Sequence, residues 1–219
     1  MRRLALALLL VAPAAHADHD LWRGFYGGAG IGGGNVHSTW VTDATVGTLD
    51  EQVDHKARGA VGGLQFGWRK PLAGPLLLGA EAAWYGGKIE ERTDSEIASN
   101  RERVTKVRNP GSIVALLGLA GSHAMLYGRG GLAFAQIELQ AINHQVGNVA
   151  TWESTGHGWT AGGGLEFLIH KRLSLGLQYD HMKIKTKDQT TYNSGNVQVN
   201  AVDFKTTINL VLLRLNYNY

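Results

Sequence analysis

Three glycines are the first residues whose spacing suggests chemistry. Gly28, Gly30 and Gly33 match G-x-G-x-x-G, with Asp54 about 20 residues further on, the pattern by which a strand-turn-helix seats a dinucleotide pyrophosphate. That chemistry needs a helix after the last glycine, and no helical period follows Gly33. The glycines are better read as small positions that let a strand curve or let neighbouring side chains pack over it. Nine histidines invite a metal centre, yet they scatter without the i, i+4 or paired spacing that ligation uses. His181 beside Asp180 is the best single acid-base candidate, and no nucleophile, base and orienter set accompanies it. With no cysteine there is no thiolate site, no disulfide and no lipid-bearing N-terminal cysteine. No catalytic, cofactor-binding or metal-ligating residue is therefore assigned, and no cofactor is expected.

The remaining charged residues recur in phase with the apolar ones, which directs attention to the elements that carry them. Eight short blocks alternate with a period of two and show no helical period. Phe25, Ala29 and Ile31 share one face; Ala60, Leu64, Phe66 and Trp68 share another, with Gln65 and Arg69 opposite. Leu76, Leu78, Ala80, Ala82 and Trp84 oppose Glu81 and Tyr85. Ile113, Ala115, Leu117 and Leu119 form the fourth block, and Leu126, Leu132 and Phe134 alternate with Tyr127 and Arg129. Trp159, Ala161, Leu165 and Phe167 alternate with Glu166, and Leu173, Leu175, Leu177 and Tyr179 with Gln178 and Asp180. The last block sets Val211, Leu213, Leu215, Tyr217 and Tyr219 against Arg214, Asn216 and Asn218. Apolar outside and polar inside is the alternation of a transmembrane barrel. The fold class expected is all-β, a closed eight-stranded antiparallel transmembrane β-barrel.

Connections alternate between short and long. Lys70 to Pro75, Gly121 to His123 and His170-Lys171 read as tight turns, whereas Asn35 to Lys56, Gly86 to Pro110, Gln140 to Gly158 and Lys183 to Asp203 read as long polar loops. Short turns on one side of the membrane and long loops on the other suit a barrel. Pro110, which cannot donate a ladder hydrogen bond, is expected at the start of strand four or in a bulge.

The N-terminus fixes the compartment. Arg2 and Arg3 precede the apolar run Leu4 to Val11, followed by Pro13 and the small-residue site Ala15-His16-Ala17, the layout of a cleaved secretory signal. The expected organisation is a signal peptide over 1–17, cut after Ala17, and a barrel domain over 18–219. Loss of Arg2 and Arg3 lowers the formal net charge of +3 by two, too little left to suggest a nucleic-acid surface. Glycine, at 30 of 219 residues with only 4 prolines, is well above the usual ~7%, without a disordered Gly/Pro composition.

On GFYGGAGIG from Gly24, MLYGRGGLAF from Met125, GWTAGGGLEF from Gly158, RLSLGLQYDH from Arg172 and the closing LRLNYNY, the chain resembles the small outer-membrane β-barrel family of Gram-negative bacteria that includes opacity-type surface antigens and eight-stranded porin-family proteins. The likeness covers the whole mature chain. It implies an outer-membrane location, and it makes Val211, Leu213, Leu215, Tyr217 and Tyr219 the terminal signature read by the barrel-assembly machinery, with tyrosine where the family usually ends in phenylalanine. The family's inward arginines of strand four, and the arginine and glutamate of strand seven, are replaced here by Val114, Leu116, Gly176 and Gln178, so its internal charge network is thinned. Some outer-membrane barrels are rim hydrolases acting on lipid A or peptides, but Met182 and Lys183 stand where the deacylase pattern has its serine.

An eight-stranded barrel is just wide enough to be filled by its own side chains. Glu81, Arg129, Glu166 and Arg214, two of each sign, are expected to pair inside as a filler network rather than a gate. Trp68, Trp84, Trp159, Tyr179 and Tyr217 fit aromatic girdles at the two interfaces. Lys183, Lys185 and Lys187 extend the last outer hairpin and read first as a solvated loop edge, with contact to lipopolysaccharide phosphates as point charges the second reading. The expected function is non-enzymatic: envelope stability and surface display, with outer-membrane lipid, lipopolysaccharide and a loop-bound surface ligand as partners. A narrow porin-like channel for ions or small solutes is the alternative.

Overall fold

A computed structural model describes residues 19–42, 54–94, 101–143, 148–192 and 198–219, with side chains over 21–37, 58–87, 108–136, 155–185 and 206–219. The leader, the cleavage site after Ala17 and the tips of the four outer connections lie outside the described residues. Eight strands run in chain order: β1 Gly24–Thr42, β2 Asp54–Pro71, β3 Leu76–Asp94, β4 Arg101–Ala120, β5 Ala124–Asn143, β6 Asn148–His170, β7 Leu173–Tyr192 and β8 Gln198–Asn218. Each pairs antiparallel with its neighbours, and β8 returns to β1 from Tyr26↔Asn218 to Thr42↔Val202, closing the barrel. Closure leaves no unpaired strand edge, which a sheet in hydrocarbon cannot tolerate.

The alternation read from sequence is the alternation of the wall. Phe25, Leu64, Phe66, Ile113, Leu132, Leu165 and Leu213 are exposed on the outside, while Glu81, Arg129, Glu166 and Arg214 are buried inside. Trp68 and Tyr217 face outward near the turns, and Trp84, Trp159 and Tyr179 face outward further up, the two levels of an aromatic girdle. Phe25 stacks on Phe66 across the β1–β2 seam with ring centroids 5.8 Å apart. Between the girdles each strand shows lipid-facing apolar residues over about nine positions, as from Ala60 to Trp68, which matches the ~9–11 residues of a tilted membrane strand.

The strands are longer than that, 18 residues in β2 and 23 in β6. Much of what reads as outer loop is therefore strand: β3 continues to Asp94, and β4 already begins at Arg101, pairing Lys88↔Arg108 through Asp94↔Glu102. The same holds for the upper parts of the other hairpins. The reason is physical: above the lipid neither face of a strand need be apolar, so the outward hydrophobic signal stops where the membrane stops while the ladder continues. Arg101 to Arg108 still carries β-branched Val104, Thr105 and Val107, the residue types that favour extended chain.

Pro110 lies in a bulge, as expected of a residue without an N–H. The β4–β5 register shifts between Arg108 and Gly111, and Asn109 adopts φ 51° with its side chain donating to Gln136 Oε1 at 3.0 Å. Gly87, at φ 153°, marks the matching shift between Trp84 and Lys88 on the β3–β4 seam. At the opposite end the tight turns are where sequence places them, after Pro71, Ala120 and His170. A short 3-10 helix, His19–Trp22, precedes β1.

Candidate functional site: the filled lumen and the outer wall

Room inside the barrel comes from glycine placed beside each long side chain. In register, Tyr26 faces Gly67, Arg69 faces Gly79, Arg129 faces Gly162, and Arg214 faces both Gly30 and Gly176. A Cβ added at Gly67 would overlap the Tyr26 ring, and one at Gly164 would come 2.6 Å from the Tyr127 hydroxyl. Gly28 and Gly30 belong to this inward set. The nucleotide-like glycine pattern is thus absorbed by packing: it alternates small and large across a narrow lumen, with no helix behind it.

At mid-height Glu81 is the hub. Its carboxylate accepts from Arg129 Nη1 at 2.8 Å, from Tyr26 Oη at 2.5 Å and from Arg214 Nη2. Arg129 also donates to Ser112 Oγ at 3.0 Å, and its Nε lies 3.4 Å from Asp180 Oδ1. Gln178 ties the ring together, donating to Asp180 Oδ2 at 2.7 Å and accepting from Tyr127 Oη at 2.7 Å and from Arg214. Nearer the turns, Arg69 forks onto Glu166 at 3.1 and 2.7 Å while Ser174 Oγ donates to the same carboxylate at 2.5 Å. Such bidentate, charge-assisted geometry is what offsets burial of an ion pair.

Sequence reasoning places Glu81, Arg129, Glu166 and Arg214 inside, and all four are there, but the network is larger. Among the described residues it holds three guanidiniums, adding Arg69, and three carboxylates, adding Asp180. Both share the inward phase, which alternation reveals; their pairing across the lumen, such as Arg69 with Glu166, 97 residues away, has no local signal. The positions thinned on β4 and β7 are compensated by Arg69 on β2 and by Asp180, two residues beyond Gln178 on β7 itself.

Apolar layers enclose the charges, so the lumen is not polar throughout. Above lie buried Val36, Val61, Tyr85, Met182, Ile208, Leu210 and Leu212. Below lie Leu77, Leu116, Ala120 and Met125, packed around Trp22. Trp22, 1% exposed, closes the turn end, its indole N–H donating to the Gly121 carbonyl at 2.9 Å. Arg69 sits 3.7 Å from the centre of the Tyr26 ring and 5.7 Å from that of Trp22, within cation–π range. Trp22 precedes the first alternating block, so no periodicity could have found it.

Outside, His181 and Asp180 point to opposite faces of β7 and form no pair. Asp180 is fully buried in the lumen, whereas His181 Nδ1 lies 2.7 Å from Asn209 Oδ1 on the outer wall and its ring is 5.7 Å from Trp159. The terminal residues Val211, Leu213, Leu215, Tyr217 and Tyr219 all face outward, and the Tyr219 N–H bonds the Phe25 carbonyl at 2.9 Å, joining the last residue to β1. Among the described residues no group of three or more His, Asp or Glu side chains is arranged to hold a metal ion.

A closed eight-stranded antiparallel barrel, lipid-facing outside and ion-paired within, defines the class of membrane β-barrels. The chain belongs to the outer membrane protein beta-barrel domain family, which matches residues 4–202, and it is an outer-membrane protein. It is 29% identical to the 31 kDa outer-membrane immunogenic protein of Brucella melitensis biotype 1, over 94% of this chain and 87% of the relative, and equally to that of Brucella suis biovar 1. In fold it is similar to the outer membrane protein OprG from Pseudomonas aeruginosa, with a TM-score of 0.51 and 13% identity over 90% of this chain and 97% of that one.

Proposed function

We propose that this protein is a non-conducting structural element of the outer membrane that stabilises the envelope and raises four long hairpins as a display surface. The observation that carries this reading is the filled lumen: three balanced ion pairs' worth of charge locked between two apolar layers, with Trp22 across the turn end. Extended strands that rise well past the lipid-facing band support display, because loops and strand tips on a rigid scaffold carry recognition. The Brucella relatives are named immunogenic, which fits hairpins exposed to the outside. The split of His181 and Asp180 between two faces supports a non-enzymatic role. The narrow-channel reading would need the Glu81 ring to exchange partners and both apolar layers to part.

Planar-bilayer recording tests this directly. The purified barrel should insert without unitary current, and Arg129→Ala should be at most a flickering leak. Steady, ion-selective steps from the unaltered protein would replace the structural reading with the channel.

A further inference from the structure

We propose that the outer wall carries a binding site for a phosphorylated glycolipid of the outer leaflet, centred on Asn209 and flanked by Arg58 and Lys183. The first observation is a groove of 530 Å³ on the outside of the β7–β8–β1–β2 wall, lined by Gly33, Asn35, Arg58, Tyr179, Asn209 and Val211. Gly33 leaves its floor open, and the third glycine of the sequence pattern thereby finds a use that its inward partners do not share.

The second observation is a row of polar side chains that a lipid-facing wall would otherwise avoid. Asn35 pairs in register with Arg58 on one side and Asn209 on the other, and Asn209 pairs with His181. Tyr179 Oη donates to Asn209 Oδ1 at 2.8 Å, and Asn209 Nδ2 donates to Asn35 Oδ1 at 2.9 Å. With strands ~4.8 Å apart, the row from Arg58 to His181 spans roughly 14 Å. It sits just above the last apolar positions, Val211 on β8 and Ile31 on β1, at the depth where headgroups replace acyl chains. Amide and phenol groups suit sugar hydroxyls, and the apolar strip beneath suits acyl chains.

The third observation is charge. Among the residues whose side chains are described, the carboxylates Glu81, Glu166 and Asp180 are buried in the lumen, and none stands in the row with Arg58, Asn35, Asn209 and His181. Arg58 is exposed at one end of the row; Lys183 stands one rung above His181 at the other, its Nζ 5.8 Å from the Trp159 ring centre, with Lys185 beyond it. Guanidinium and ammonium groups with no acidic partner among the described side chains, held at headgroup depth at both ends of a hydroxyl-binding row, fit a sugar headgroup bearing phosphate. Cations at the turn end, Lys171 and Arg172, lack the amide row and serve as the internal control.

The test is titration of the purified, folded barrel in detergent with bisphosphorylated lipid A, with the same lipid after enzymatic removal of phosphate, and with phosphatidylglycerol, read by native mass spectrometry. One equivalent of lipid A should bind, with the other two lipids at least about tenfold weaker. Arg58→Gln with Lys183→Gln should weaken lipid A binding by about tenfold or more, as loss of charge-assisted hydrogen bonds implies, and Asn209→Ala should weaken it independently. Lys171→Gln with Arg172→Gln should change nothing. Faster migration of each unboiled variant on a gel confirms folding separately. Equal binding of dephosphorylated lipid or of phosphatidylglycerol, or unchanged binding in both groove variants, would overturn the site.

Discussion

At the scale of single residues, few side chains carry the lumen's electrostatics. Glu81 holds two guanidiniums and a tyrosine hydroxyl, so removing it takes from Arg214 its carboxylate partner and leaves Arg129 only Asp180, at 3.4 Å. Taking away one partner of a buried pair costs about 3–5 kcal/mol, because the remaining charge is uncompensated. Glu81→Ala and Arg129→Ala should each destabilise the barrel by that order, and the double variant by clearly less than their sum. Denaturant unfolding in lipid vesicles reads both. Additive effects would mean the two residues do not act as one pair. The inward phase of Glu81, Arg129, Glu166 and Arg214 is legible from alternation with Ala80, Leu126, Leu165 and Leu213, and Arg69 and Asp180 carry the same signal. What residue order does not contain is the partner across the cylinder, since that depends on closure and on the relative height of strands far apart in the chain.

At the scale of elements, each strand has two regimes. Within the lipid, one face is apolar and the phase is unmistakable. Above it, Lys183 and Lys185 alternate with Met182 and Ile184, so only the inner face stays buried. Hydrophobic patterning reports lipid contact rather than strand, which is why the lower half of every hairpin is legible and the upper half reads as loop. Bulges are legible where chemistry forces them, as at Pro110, and illegible where a glycine merely permits them, as at Gly87. The two regimes make a prediction about depth. Arg at Leu213 or Leu165, in the lipid-facing band, should cost about 2–4 kcal/mol, falling to about 0–1 kcal/mol near the interface, as at Tyr179. Vesicle refolding of Leu213→Arg, Leu165→Arg and Tyr179→Arg measures the gradient; equal costs at all three would place the band elsewhere.

At the scale of the whole molecule, the barrel sets large residues against small ones across its lumen, where three guanidiniums and three carboxylates are gathered among the described residues. We propose that export comes first, with the leader read from Arg2, Arg3 and the Ala15-His16-Ala17 site removed after Ala17. Intact mass of the outer-membrane form should equal residues 18–219; a heavier species retaining 1–17 would refute cleavage there. The central claim is that this sequence closes into a compact, internally paired barrel, and electrophoresis of the outer-membrane fraction in detergent, boiled against unboiled, tests it most directly. Unboiled protein should run ahead of boiled protein and keep that position on warming longer than Glu81→Ala does. Identical mobility before and after boiling would contradict a closed barrel, and identical heat resistance of the variant would contradict a lumen held by its charges.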